Sequence, residues 1–158
     1  MKLRDLMKTR VTTVGPEDTL HLADGIMSLG GLRHLPVVSG GALLGIITHR
    51  DILRAPTTFR GFAADARAVL RALTVRDVMT KEVVTIDADA SVREAAERLL
   101  EHRVGCLPVL ERGALVGIVT TSDLLHAIAG PHSVVVDEPI KTAGAATAPA
   151  AALGAQGG

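Results

Sequence analysis

Aromatic side chains are almost missing from this chain of 158 residues: there is no Trp, no Tyr, and two Phe. Both, Phe59 and Phe62, lie in the stretch between two repeated blocks. Proteins that hold exposed nucleic-acid bases stack them largely on aromatic rings. This chain has no such platform inside its repeats, so any base it holds must be gripped by aliphatic side chains and backbone groups. An excess of one charge is also missing, because 17 Lys and Arg balance 17 Asp and Glu. The basic footprint of a nucleic-acid binder is therefore absent, and no nucleic-acid partner is expected. Cysteine occurs once, as Cys106. No intrachain disulfide can form, which suits a reducing cytoplasm, and the thiol is expected to be a small buried filler. No apolar run reaches membrane-spanning length, so no membrane partner is expected. Met1 opens directly into the first repeat, so no cleaved leader is expected, and the expected location is cytoplasmic.

What the chain does have is a duplication. Residues 4–54 and 76–126 align without a gap at a constant offset. Arg4, Asp5 and Met7 return as Arg76, Asp77 and Met79, and Leu35-Pro36-Val37 returns as Leu107-Pro108-Val109. Gly45-Ile46, Thr48, Asp51 and Leu53 return as Gly117-Ile118, Thr120, Asp123 and Leu125. One copy of this size sits near the lower limit for independent folding, so the pair is expected to be the folding unit, with pockets where the copies meet.

The second copy reads more clearly. Ser91 and Glu94 form a capping-box pair, and Val92, Ala95, Ala96, Leu99 and Leu100 follow at helical spacing, giving a helix over about 91–103. Val83-Val84-Thr85-Ile86 before it is a β-prone run. After it, residues 105–110 and 114–119 read as two strands joined by a tight turn at Glu111-Arg112-Gly113. Thr121, Ser122 and Asp123 then offer capping oxygens to a last helix. The order is strand, helix, strand, strand, helix.

The first copy repeats this order with Thr19 as helix cap and a turn at Ser39-Gly40-Gly41. Gly25, Gly30 and Gly31 weaken its central helix, each costing about 1 kcal/mol relative to Ala inside a helix. Leu43-Leu44 and Ile46-Ile47 lack clean alternation, so these strands are expected to be covered on both faces. The fold class is α+β, two pseudo-symmetric units packed through their sheets. Four segments are expected: a first repeat over 1–56, a linker with a helix over 57–73, a second repeat over 74–130, and a mostly disordered tail over 131–158. In the linker, Pro56-Thr57-Thr58 reads as loop and 63–73 as helix.

Each copy resembles a CBS (cystathionine-β-synthase type) domain, and the pair resembles a tandem CBS, or Bateman, module. The marks are the Asp-Leu-Met and Asp-Val-Met openings, the Leu-Pro-Val strand, the Gly-x-x-x-Gly-Ile hairpin and a closing Thr-x-x-Asp, at Thr48 to Asp51 and Thr120 to Asp123. The resemblance covers about residues 1–129. It implies two clefts between the repeats for adenosyl ligands, AMP, ADP, ATP or S-adenosylmethionine, as regulatory ligands with no cofactor required. It also implies a sensor without enzymatic turnover, a homodimer, and a regulated partner protein.

The chemistry of each cleft follows from its residues. An ionised carboxylate can accept from both hydroxyls of a ribose, and the resemblance assigns that task to Asp51 and Asp123. Thr48 and Thr120 can donate to a phosphate near a helix N-terminus, where backbone N–H groups favour an anion. Around Asp51 stand Arg50, His49, Arg33 and His34; around Asp123 the equivalent positions hold Ser122, Thr121, Gly105 and Cys106. The resemblance adds a piece of the other copy to each cleft: Thr80 and the backbone near Val84 beside Asp51, Lys8 and the backbone near Thr12 beside Asp123. The first cleft is thus expected to bind a nucleotide phosphate, and the second to be weaker or to prefer a less charged adenosyl ligand, with Lys8 as its one cation.

Other constellations carry less. The six histidines include no pair at the i, i+4 spacing of a helical metal site, so no metal is expected. Nothing resembles a nucleophile elbow, and no catalytic residue is expected. The leading rival to a sensor is a ligand-free scaffold of the same fold, used for dimerisation or docking.

Overall fold

The computed structural model describes residues 1–58 and 65–130. Phe59, Phe62 and the expected tail lie outside the described residues. A short 3-10 turn at Leu3–Asp5 precedes eleven elements: α1 (Leu20–Gly30), β1 (His34–Ser39), β2 (Ala42–Thr48), α2 (His49–Thr58), α3 (Ala66–Ala72), α4 (Val75–Val78), β3 (Ile86–Asp87), α5 (Val92–His102), β4 (Cys106–Glu111), β5 (Ala114–Thr120) and α6 (Thr121–Ala129). The class is α+β, as expected.

Local sequence accounts for the paired elements. The Ser91 hydroxyl accepts from the Glu94 amide at 3.1 Å, and the Glu94 carboxylate accepts from the Ser91 amide at 2.7 Å, closing the capping box of α5. Thr19 caps α1 with a bond from the Leu22 amide of 3.1 Å. Despite its glycines α1 is as long as α5, 11 residues. Burial of Leu20, Ala23 and Met27 overrides the propensity cost. Both hairpins turn on two left-handed residues, Gly40-Gly41 and Arg112-Gly113, which matches the twist of the strands they join.

Three expectations need correction. The run at Val83–Ile86 is a strand only at its end: β3 is Ile86–Asp87, parallel to β4, while Val83 and Val84 leave the sheet to line a cleft. The loop expected at 56–58 is the last turn of α2. Pro56 lies near the end of that helix, and the Thr57 and Thr58 hydroxyls both donate to the Arg54 carbonyl, at 2.8 and 3.1 Å. Among the described residues the linker helix is Ala66–Ala72, ending short of 73, and Asp65 caps it through the Arg67 amide at 2.9 Å; residues 63 and 64 lie outside the described residues.

The two halves exchange their openings. Leu3, wholly buried, belongs to the core of Ile86, Leu99, Leu107, Val109, Val119 and Leu124. Val75 and Met79 complete the core of Leu20, Met27, Leu35, Val37, Ile47 and Ile52. Burying a leucine contributes about 2 kcal/mol, so each opening helps hold the other half together. Backbone bonds fix the register of the exchange. Lys8 and Ile118 trade amide and carbonyl bonds of 3.0 and 3.0 Å, and Thr80 and Ile46 do the same at 2.9 and 3.0 Å. Gly45 and Gly117 make this approach possible. A Cβ on Gly45 would sit 2.8 Å from the Thr80 carbonyl oxygen, and one on Gly117 3.1 Å from that of Lys8. The repeated Arg of each opening ties the same seam, while the repeated Asp caps its own opening turn. Arg4 meets Asp89 and Glu111, Arg76 meets Glu17, and Asp5 and Asp77 accept from the amides of Lys2 and Thr74. The hairpins meet through β2 and β5. One face of β2 is therefore core (Ile47) and the other, through Ile46, borders the cleft.

Candidate functional site

Both Thr-x-x-Asp motifs are helix N-terminal capping boxes. The Asp51 carboxylate accepts through Oδ2 from the Thr48 amide and hydroxyl, both at 2.8 Å, and the Asp51 amide donates back to the Thr48 hydroxyl at 3.2 Å. Asp123 does the same with Thr120, at 2.8 Å from the amide and 2.7 Å from the hydroxyl. Each hydroxyl is thereby engaged with its own aspartate. The amide after each motif's threonine donates to the residue just before the hairpin's first strand, His49 to the Arg33 carbonyl at 2.9 Å and Thr121 to that of Gly105 at 3.1 Å. That bond brings Arg33 and His34 next to the start of α2.

The second oxygens of the two carboxylates differ. Asp123 Oδ1 is paired with the Lys8 ammonium at 3.0 Å, and the residue is 7% exposed. No hydrogen bond or ion pair among the described residues reaches Asp51 Oδ1, and Asp51 is only half-buried. Burial works to raise the Asp123 pKa, but the Thr120 hydroxyl, the Lys8 ammonium and the Thr120 amide outweigh it and hold the carboxyl below its ordinary value.

Asp51 stands at the wall of a cavity of 630 Å³, within the range of small-molecule sites. All seven residues expected at the first cleft border it. Arg33, His34, Thr48, Arg50 and Asp51 come from the first repeat, and Thr80 and Val84 from the crossed-over opening of the second. Ile46, Leu53 and Val83 supply apolar wall, and Glu82 is the other acid. Burial lowers the His34 pKa and the Arg33 cation adds to it, against a weaker pull from Asp51, so the imidazole is neutral at neutral pH.

The second group is not gathered in the same way. Lys8 and Asp123 are in contact, and Asp123 and Thr120 share the capping box. Thr12 and Ser122 are exposed. Of the six, only Cys106 lines the large cavity, on the Asp51 side, not the side the alignment had given it. Its thiol is buried and pushed up to about 12 by desolvation, which makes it wall and not a nucleophile. Gly105, beside it, lies against the His34 ring: a Cβ there would be 3.0 Å from His34 Nε2.

The cavity's third guanidinium escaped the sequence reading, as did Glu82. Arg103 reaches this cavity from the second repeat, at the left-handed C-cap of α5 with φ 53°. The gapless alignment sets it opposite Gly31, so comparing the copies hid it, although its place at the helix end before Val104-Gly105 was a usable signal. Among the described residues no three His, Cys, Asp or Glu side chains converge as a metal site.

The sequence profile of the CBS domain matches residues 3–57 and 75–130. The chain belongs to the CBS domain family. The CBS domain-containing protein YhcV of Bacillus subtilis is 34% identical over 122 residues, 77% of this chain and 81% of that one. An inosine-5'-monophosphate dehydrogenase of Korarchaeum cryptofilum is 33% identical over 140 residues, 88% of this chain, which spans only 27% of the dehydrogenase. Among solved structures, a CBS domain pair in complex with 5'-methylthioadenosine and S-adenosyl-L-methionine superimposes with a TM-score of 0.72 at 26% identity, over 82% of this chain and 97% of that one. The exchanged openings and twin capping boxes are thus those of a tandem CBS pair. Among the described residues no helix is long and apolar enough to cross a membrane.

Proposed function

We propose that this CBS pair is a non-catalytic regulatory module that takes an adenosyl nucleotide in the Asp51 cleft. One observation carries the reading: a half-buried carboxylate, one of whose oxygens has no partner among the described residues, stands in a 630 Å³ cavity beside Arg33, Arg50 and Arg103. That oxygen suits a ribose hydroxyl, and the three guanidinium groups suit phosphate oxygens. The apolar wall at Ile46, Val83 and Val84 suits a base held without aromatic stacking. The adenosyl ligands of the similar CBS pair support the choice of base. Ligand would bridge both repeats, since Arg103 and Thr80 come from the second and Asp51 from the first, and so favour one arrangement of the halves. We propose the Asp123 side as the weaker site, suited to a less charged adenosyl ligand. The module is proposed to act in the cytoplasm as a homodimer that signals to a partner protein, and Leu53 and Leu125, exposed at equivalent positions on α2 and α6, offer apolar surface for such contacts.

A thermal-shift series with AMP, ADP, ATP and S-adenosylmethionine tests the reading. A ligand at 100 times its dissociation constant stabilises by about 2.7 kcal/mol. A clear upward shift with at least one phosphate-bearing nucleotide is expected. No shift with any of them would leave the ligand-free scaffold as the better account.

A further inference from the structure

The two openings occupy the same register on the opposite hairpin, Lys8 against Ile118 and Thr80 against Ile46. Of the two residues at this register, Lys8 carries a charge and Thr80 does not. The Lys8 ammonium lies 3.0 Å from Asp123 Oδ1, the oxygen whose counterpart on Asp51 has no hydrogen-bond or ion-pair partner among the described residues. Asp123 is also the more buried of the two, and it does not border the large cavity. Lys8 was expected to be the cation that meets a ligand in the second cleft. Its charge is instead committed to the carboxylate that a ribose would need.

We infer that Lys8 is an internal occupant of the second cleft, an autoinhibitory contact that masks Asp123, and that the residue at this one register decides which cleft is open. The inference rests on the proposed role of these carboxylates as ribose acceptors. The Lys8 side chain is 63% exposed, so the mask is displaceable and its effect is that of a solvent-facing ion pair, about fivefold in affinity.

Reciprocal exchange of the two residues tests it, using 5'-methylthioadenosine, which carries no phosphate, and equilibrium dialysis of the full chain. The unmodified protein should bind one equivalent at the first cleft and a second at least fivefold more weakly. Lys8→Thr should tighten the second equivalent about fivefold and leave the first unchanged. Thr80→Lys should weaken the first about fivefold. Each variant places a side chain already tolerated at the equivalent position, and retained circular dichroism and melting cooperativity confirm folding. Two equal sites in the unmodified protein, or a folded Lys8→Thr variant whose second site is unchanged or weaker, would overturn the mask while the Asp51 reading stands. Absence of 5'-methylthioadenosine binding by all three proteins would overturn the mask, and ATP binding to the same proteins then decides separately whether the Asp51 reading stands.

Discussion

The two halves share a scaffold to the level of single hydrogen bonds and part company at a few side chains. Thr48-Asp51 and Thr120-Asp123 make the same capping box, and His49 and Thr121 make the same strand-entry bond. The openings pair with the opposite hairpins at the same register. Against this background Arg33-His34 stands opposite Gly105-Cys106, Thr80 opposite Lys8, and Gly31 opposite Arg103. These differences leave Asp51 unmasked and surround it with cations, while Asp123 is covered. What repeats builds the fold. What fails to repeat sets the ligand chemistry, and it concentrates on one side of the seam.

The sharpest break of this comparison removes each carboxylate's charge in turn. Asp51→Asn should weaken ATP binding by about 100-fold or more, since two charge-assisted bonds to ribose hydroxyls contribute about 3 kcal/mol together. Asp123→Asn should leave that affinity within about threefold and instead lower the melting temperature, because it leaves the Lys8 ammonium without its partner. Isothermal titration calorimetry with both variants reads the difference. Equal losses of affinity would show that the two sides are functionally alike.

A second break addresses the exchanged openings. A Cβ on Gly45 would lie 2.8 Å from the Thr80 carbonyl oxygen and 2.7 Å from Met79 Sδ. On Gly117 it would meet Met7 Sδ at 2.5 Å and the Lys8 carbonyl oxygen at 3.1 Å. Backbone held in a two-bond bridge cannot yield, whereas the end of a methionine can swing aside. Gly45→Ala should therefore cost about 3 kcal/mol and Gly117→Ala about 1–2 kcal/mol of unfolding free energy in urea. A larger loss at Gly117 would mean that the second seam is the stiffer one.

Much of this was legible in the sequence because it rests on local rules. Ser91-x-x-Glu94, Thr19 and the turn glycines fix where helices and hairpins start and stop. The gapless offset predicts that whatever one copy does the other does too. The illegible parts depend on side-chain reach across the seam. No local pattern states that Lys8 finds Asp123, because the contact spans from the first opening to the start of the last helix. Arg103 was hidden for a related reason: alignment of the copies highlights what they share, and Arg103 has glycine as its counterpart. Val83 and Val84 have strand chemistry, but the cavity wall holds them outside the ladder. Pro56 looked like a helix stop, yet α2 runs through it to Thr58, and the Thr57 and Thr58 hydroxyls bond the Arg54 carbonyl near the helix end.

The finest difference between the halves lies in their response to pH. Asp123 is held below its ordinary pKa, so its contribution to stability is present above the unfolded carboxyl value of about 3.9 and is lost as pH falls through the lowered folded value. That window is too acidic to matter near neutrality. His34 is also lowered, but for a histidine this means that the neutral ring is favoured in the folded state. Its contribution is complete above the unfolded value of about 6.5 and drains away as pH falls from there toward the folded value. Urea midpoints measured between pH 8 and pH 5 should therefore fall more steeply in the native protein than in a His34→Gln variant, which has no ring to protonate. A phosphate seated beside Arg33 and His34 would offset the Arg33 cation and add negative charge next to the ring, which favours the protonated form. His34 should then titrate at higher pH with ATP bound than without it, read from its ring carbon shifts by NMR, and ATP should bind more tightly at pH 6 than at pH 8. If the His34 titration does not move when ATP binds, the phosphates lie elsewhere in the cavity, and the cations that distinguish the first half from the second are not there to meet them.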